Sequence, residues 1–395
     1  MNRRSFLTTG GMAALGVGFG ACASNPKPGL APSRPRVTLT PVDASWDRII
    51  RTTVGLRPHR DAGFVLKADT LDDKLLVHNY GHGGAGMSIS WGTGLMAAEF
   101  ASQQPGRRAA VIGCGAVGLT TARQLQRRGF DVTIYALAVP PNVTSNMSLA
   151  GFTPYSGLVM EDRRTPEWDA QFTRAAGIAY RQLQLLTGEA PYGVSWVDSY
   201  QPTDELPRPP QTPPARPNLQ NGLIIGSEIL QPGEHPFPTK YAIRRAGIRI
   251  EPSIYLDALV RDVLMFGGRI VMRKFDTPRD LATLGEPVVI NCTGLGAREL
   301  FGDQELVPLK GQLTVMVPQP EVNYQTNGGV RNEPLPPGAL GLHMMPRRDG
   351  IILGGTSERG VTSMEPNEAE RKRVVDGHIE LFSAMRSPGR AGVRT

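Results

Sequence analysis

The chain is predicted to be an α/β protein, a Rossmann-like dinucleotide-binding domain joined to a second domain built on an antiparallel sheet. Three observations carry this. A strand, glycine loop, helix and strand follow one another from Ala109 to Tyr135. A second buried-strand run, Pro287 to Ile290, ends in Asn291-Cys292-Thr293-Gly294. The segments Gln312 to Val317 and Gly350 to Leu353 then read as strands of an antiparallel sheet. With 395 residues, 40% hydrophobic and 20% charged, the chain can bury a sizeable core, and wholesale disorder is excluded.

The N-terminus reads as an address. Arg3-Arg4 before Ser5-Phe6-Leu7 and a Gly/Ala-rich apolar run resembles a twin-arginine export signal, too short to span a membrane. Export to a bacterial periplasm or cell envelope is the expectation, with a cytoplasmic protein as the alternative. Cys22, after Gly20-Ala21, is a candidate lipid-anchor site, although Phe19 departs from the usual pattern. The Pro- and Ser-rich stretch that follows reads as a linker. Three cysteines exclude a disulfide scaffold and lack metal-ligand spacing, so no metal is expected. The net charge of +7 comes from scattered pairs of Lys and Arg, which gives no footprint for nucleic acid.

The strongest local unit is Ala109 to Tyr135. Ala109 to Ile112 is a buried strand, Gly113-Cys114-Gly115-Ala116-Val117-Gly118 is a Gly-x-Gly-x-x-Gly loop, Leu119 to Arg128 is a helix, and Phe130 to Tyr135 is the next strand. Gly113 and Gly115 let the backbone approach a pyrophosphate, and Gly118 lets the helix lie on the strand. The helix N-terminus offers unpaired N–H groups and a positive dipole end. The acidic residue expected after the second strand is missing, since Tyr135-Ala136-Leu137-Ala138 holds no carboxylate. Nicotinamide specificity is therefore not supported. Further helices are expected at Trp168 to Leu186, Ser253 to Phe266 and Glu368 to Met385, the last capped by Asn367, with a strand at Arg269 to Met272 and an irregular Pro-rich stretch at Gln201 to Pro217.

Val77 to Gly86, which reads Val-His-Asn-Tyr-Gly-His-Gly-Gly-Ala-Gly, resembles the flavin-binding signature of the D-amino-acid oxidase family. Gly55 to Arg60 resembles that family's substrate-arginine segment, Ala109 to Tyr135 its dinucleotide-binding start, and Val288 to Gly294 its Asn-Cys-Thr-Gly strand. Lys310-Gly311-Gln312 and Ile351 to Gly355 resemble its sheet segments. The order is rotated, because the arginine and Gly-His-Gly-Gly segments precede the dinucleotide unit, as in a circular permutation. The divisions this implies are a signal at 1–23, a linker at 24–45, a transposed segment at 46–105 and the dinucleotide unit at 106–155. Substrate-domain residues follow at 156–252, a return to the FAD-binding domain at 253–300, substrate-domain sheet and last helix at 301–385, and a tail at 386–395.

The resemblance implies FAD as cofactor and oxidative deamination of a D-amino acid to the 2-oxo acid, ammonia and hydrogen peroxide, with hydride passing from the α-carbon to flavin N5. The alternatives are oxidation of another amine or amino acid, such as glycine or D-aspartate, and a non-catalytic flavin-binding relative. A small-molecule D-amino acid and oxygen are the implied partners. Arg57 is the candidate for the substrate carboxylate, a fork that matches it bidentately. His343 stands where the family usually has a tyrosine, and Ala339 replaces a second one. Arg347 and Arg348 could favour an acidic side chain. Cofactor contacts are expected at Gly113, Gly115, Ala116, Val117, Gly118, Thr144, Ser145, Gly151, Thr293 and Gly294, and at Tyr80, Gly81, Gly83, Gly84, Ala85 and Gly86. A helix from Gly94 to Ala101 should aim backbone N–H groups at the flavin. His78 and His82 read as structural hydrogen-bonders, and Cys114 and Cys292 as small buried residues.

Overall fold

The computed structural model describes residues 37–207, 218–219, 222–223, 226–328 and 341–386. The export signal, Cys22 and Ala339 lie outside the described residues, as does most of the Pro-rich stretch. In chain order the elements begin β1 (Ile49–His59), β2 (Val65–Leu71), β3 (Lys74–Tyr80), α1 (Gly86–Ser102), β4 (Arg108–Ile112), α2 (Ala116–Gln126), β5 (Asp131–Ala136) and α3 (Pro166–Leu186). They continue β6 (Val194–Thr203), β7 (Ser227–Leu230), β8 (Tyr241–Ile250), α4 (Pro252–Met265), β9 (Arg269–Met272), α5 (Pro278–Ala282), β10 (Val288–Asn291) and α6 (Gly296–Phe301). The last are β11 (Val307–Met316), β12 (Tyr324–Asn327), β13 (His343–Arg347), β14 (Gly350–Gly354), β15 (Glu358–Arg359) and α7 (Glu368–Ser383).

Two sheets organise these elements. The first has the order β2-β3-β10-β4-β5-β9 and is parallel from β3 onward, with β2 antiparallel at its edge. Its central strands β4 and β10 are near-continuous apolar runs because both faces are covered there. Val77, Val111, Ile134 and Ile290 pack on one side against α1–α4, and Leu76, Ile112 and Val289 pack on the other with Leu281 and Leu300. β3, far from β10 in sequence, thus sits beside it at the centre. Helix α1 begins at Gly86, eight residues before the predicted start. The stretch is rich in glycine, which weakens a helical signal, but it is pinned between α2 and α3 in the core.

The second sheet runs β1-β11-β14-β13-β12-β6-β8-β7, mostly antiparallel, with β12 and β6 parallel. Alternate residues divide its faces. Tyr200, Met316, Tyr324, Met344 and Leu353 pack under α7 with Val374, Val375 and Phe382, while Arg57, Gln201, Leu313, Asn327 and His343 border a cavity on the opposite face. Asn367 caps α7 by accepting from the Glu370 amide. Thr165 caps α3 by accepting from the Trp168 amide, ahead of Pro166 in its first turn.

Two sequence expectations are revised. Residues 37–45 are not a free linker: Leu39 and Val42 are core residues, and the Val37 amide donates to the Glu234 carbonyl. Gln201 to Thr203 belong to β6, since the alternation from Val194 overrides Pro202 at its end. The first and last described segments meet, because the Tyr324 hydroxyl donates to the Thr40 carbonyl and lies 3.8 Å from Met385 Sδ. No helix among the described residues is long and apolar enough to cross a membrane.

Candidate functional site

One cavity of about 1100 Å³ runs between the two sheets, bordered by the loop after β4, the loop after β3 and the open face of β1, β11 and β13. At its first end the chain leaves β4 through Gly113, whose φ of +115° is costly for any residue with a Cβ. A Cβ there would stand 2.5 Å from the Cys292 carbonyl oxygen, and one on Gly118 would stand 2.0 Å from the Gly113 carbonyl oxygen. Both positions therefore need glycine, and the loop seats the N-terminus of α2 directly on the cavity. The N-cap of α2 is Gly115, which has no side chain to occupy the first-turn amides, and Ser145 Oγ accepts from the Ala116 amide at 3.0 Å.

Around this end stand Gly115, Ala116, Val117, Thr144, Ser145, Thr293 and Gly294, all bordering the cavity, and Gly151 borders it from the second sheet, against Met345 and bridged to Arg249. Thr293 is fixed by Asn291, whose Oδ1 accepts from its hydroxyl at 2.7 Å and its amide at 3.1 Å. Gly118 and Ala85 do not border the cavity. Gly118 is consumed by helix–strand packing, and Ala85 is fully buried as the N-cap of α1. The carboxylate missing after β5 is answered in space by Asp276 and Glu299, which border the cavity with Tyr135, Arg273 and Lys274. Neither acid was legible, because they lie on a different loop and helix from the strand whose end they face.

The loop after β3 forms the cavity's middle. Tyr80, Gly81, Gly83, Gly84 and Gly86 border it. The expected amide array is smaller than predicted: Gly83 donates to the Pro58 carbonyl, Gly84 to that of Ser156, and Ala85 to that of His82. Gly86 and Met87, at the start of α1, border the cavity, and neither amide lies among the loop's recorded backbone bonds. The Tyr80 hydroxyl donates to Asp303 at 2.8 Å, and burial with that acceptor pushes its pKa up. His82 bonds Thr93 Oγ1 through Nε2 at 3.0 Å and stacks on Phe64, and burial lowers its pKa to about 3. His78 Nδ1 accepts from the Asn291 amide at 3.1 Å, and burial lowers its pKa to about 4. Burial also raises the Cys114 and Cys292 thiols to about 12, which leaves both unreactive at neutral pH.

Arg57 and His343 meet at the far end. The guanidinium of Arg57 lies across Gly311, where a Cβ would be 2.2 Å from Nη2, and its recorded hydrogen bond is a long one to the Thr356 carbonyl at 3.3 Å. No carboxylate among the described residues is in ion-pair reach of it, and burial lowers its pKa without neutralising it. His343 sits beside it over Gly354. Burial lowers its pKa to about 4, and the charges of Arg57 and Arg373 push the same way. It is neutral at pH 7, and its Nδ1 lies 3.2 Å from the Gly341 carbonyl, which places the proton there and leaves Nε2 as acceptor.

Arg347 and Arg348 are not part of this end. Arg347 is buried in a two-pronged pair with Asp349, both bonds at 2.8 Å, and Arg348 is exposed against Glu251. Sequence reasoning missed Tyr155, Gln201, Arg245 and Asn327, which also border the cavity. Gln201 and Arg245 lie on β6 and β8, neither of which was read as a strand from the sequence.

A dinucleotide cofactor fits this cradle: a glycine loop that no Cβ could enter, a helix N-terminus behind it, and a cavity at the upper end of the usual ligand-site size. Comparison with known proteins agrees. Residues 108–395 match the family model described as FAD dependent oxidoreductase, DAO. The chain is 28% identical over 309 residues to a D-amino acid oxidase of Dugesia ryukyuensis, covering 72% of this chain and 84% of that one. It is 29% identical over 291 residues to a D-amino-acid oxidase of Rubrobacter xylanophilus, covering 73% and 82%. It is 25% identical over 279 residues to a human D-aspartate oxidase, covering 68% and 73%.

Proposed function

Because the chain belongs to the DAO family of FAD-dependent oxidoreductases and takes FAD as its cofactor, we propose that its substrate is a D-amino acid. The reaction consumes the amino acid, oxygen and water and gives the 2-oxo acid, ammonia and hydrogen peroxide. The observation that supports this most is Arg57, a guanidinium with no carboxylate partner on the same cavity as the glycine loop. The relatives named D-amino-acid oxidase point the same way.

Bound FAD supplies the two-electron acceptor. The protein's own groups do the rest. The loop after β4 and the N-terminus of α2 hold the pyrophosphate through backbone N–H groups and the helix dipole. The loop after β3 brings Gly86 and Met87 amides to the cavity edge, where a developing negative charge is stabilised. Arg57 binds the α-carboxylate, and Gly311 clears the space its planar fork needs. His343 stays neutral and offers Nε2 as acceptor to the substrate amine. The test is a panel of D- and L-amino acids assayed for peroxide and 2-oxo acid. Turnover confined to D enantiomers supports the reading, and a yellow, folded protein that turns over none would make it a non-catalytic relative.

We propose also that the segment before β4 is a circular permutation of the family order. The family match starts at residue 108, the described ends meet at Tyr324, and Arg57 shares its cavity with Gly113. A chain with residues 46–105 moved behind 385 should fold and bind FAD. Failure of both would count against it. Export is proposed on Arg3-Arg4 with Ser5-Phe6-Leu7 and the apolar run behind them, and cell fractionation of an Arg3→Lys, Arg4→Lys variant tests it.

A further inference from the structure

Both ring nitrogens of His59 face oxygen atoms. The residue ends β1 and is only 4% exposed. Its Nδ1 lies 2.9 Å from the Gly157 carbonyl oxygen, and its Nε2 lies 3.0 Å from Asp61 Oδ1. The carbonyl can only accept, and Asp61 is held as a carboxylate. Burial works to raise the Asp61 pKa, but the bonds from Arg359 and His59 outweigh it and leave that pKa lowered. Arg359 reaches the two Asp61 oxygens at 2.9 and 3.0 Å. A neutral imidazole has one N–H and would meet one of its two oxygen partners with a lone pair. Only the imidazolium donates to both.

The bond to Gly157 closes a clamp on the loop after β3. The Gly83 amide donates to the carbonyl of Pro58, the residue before His59, and the Gly84 amide donates to that of Ser156, the residue before Gly157. His59 ties those two anchors to each other. Gly157 has a φ of +51°, and a Cβ on Gly83 would stand 1.8 Å from its carbonyl oxygen. A shift of that carbonyl is therefore felt directly by the loop that borders the cavity. The other charges around His59 are engaged elsewhere. Arg60 turns to Asp303 and Glu305, Lys310 faces Glu358, Glu161 pairs with Arg164, and Arg57 lies over Gly311.

We propose that His59 is a positioning residue for the flavin-binding loop, and that the second proton on its ring fastens the loop by holding Gly157. When the ring gives that proton to water, the Arg359-bound carboxylate is the stronger acceptor and keeps the remaining N–H. Nδ1 then presents a lone pair to the Gly157 carbonyl, the clamp opens, and FAD is held less tightly. The inference concerns the cofactor site and stands whichever substrate is oxidised.

The experiment dilutes the FAD-loaded protein into buffers from about pH 5 to 9, the span in which imidazole ordinarily titrates. Fluorescence of the released flavin gives the dissociation constant. Burial lowers His82 to about 3 and His78, His343 and His378 to about 4, so these rings stay neutral throughout, and His235 does not border the cavity. The wild-type constant should rise about tenfold or more toward the alkaline end, as the loss of one hydrogen bond from a charged donor implies. His59→Gln has no ring proton to lose and should show the weaker constant at every pH. Asp61→Asn discriminates further. The asparagine amide donates to Nε2, the neutral ring turns its N–H to Gly157, and FAD should stay tightly bound at the alkaline end. A wild-type constant that is flat across the range, or the same pH slope in His59→Gln, overturns the proposal. If His59→Gln does not fold, Asp61→Asn decides: tight binding without the wild-type slope supports the clamp, and the wild-type slope retained overturns it.

Discussion

The two ends of the cavity are built from different materials. At the Gly113 end the backbone does the recognition, and the side chains are absent because there is no room for them. At the Arg57 end side chains of β1 and β13 do it, on a sheet whose order does not follow the chain. A site made of backbone tolerates almost no substitution at its glycines. A site made of side chains can lose one group and keep its shape. Cofactor and substrate functions should separate accordingly under mutation.

The largest effect is expected at Gly118. Gly118→Ala drives a Cβ into the Gly113 carbonyl, where backbone cannot give way. Overpacking of this kind costs about 3 kcal/mol, so the variant should melt earlier and lose FAD, both read from flavin absorbance during a thermal scan. Arg57→Ala comes next. Losing a charge-assisted carboxylate pair costs on the order of 2–5 kcal/mol, so KM should rise more than tenfold while flavin per protein stays at the wild-type value. If the two variants fail in the same way, the division between the ends is wrong.

Sequence legibility followed the same division. The loop from Gly113 to Gly118 could be read because its requirement is local: a strand, three glycines at fixed spacing and a helix. Arg57 and His343 could be reached only through a likeness of motifs, and the cavity residues of β6 and β8 stayed hidden. Arg245 lies in Tyr-Ala-Ile-Arg-Arg-Ala-Gly-Ile-Arg-Ile, where the Arg-Arg pair and a glycine blur the alternation that marks a strand. Arg347 and Arg348 attracted attention by adjacency to His343, but Asp349 holds Arg347 in a two-pronged pair, and Arg348, past the end of β13, is exposed against Glu251. Asp276 and Glu299 were invisible for a different reason, since only the packing of β9 and α6 around β5 brings them to the cavity.

Acid stability gives a third, smaller probe. His82 and His378 are buried and neutral, with pKa values lowered to about 3 and about 4 by burial. The unfolded chain binds their protons near pH 6.5, so their contribution to stability is complete above that pH. It falls as pH drops toward 4, by up to about 1.4 kcal/mol per histidine per pH unit. Melting temperature should decline across that window, and less steeply in His378→Gln. A curve that stays flat from pH 6.5 to 4 would contradict the burial of these rings. The smallest effect on turnover belongs to Arg348→Ala, an exposed cation paired with the buried Glu251 and not bordering the cavity: substrate constants should equal the wild type in the peroxide assay.

The central claim is that one continuous cavity joins the glycine loop to Arg57, with FAD at one end and a D-amino acid carboxylate at the other. The most direct measurement is the absorbance of the bound flavin, mixed with D- and then L-amino acids while oxygen is excluded. The account predicts rapid bleaching by D enantiomers alone, with the saturation constant raised more than tenfold in Arg57→Ala. Flavin that is fully bound yet bleached by neither enantiomer, or bleached equally well in Arg57→Ala, would contradict it.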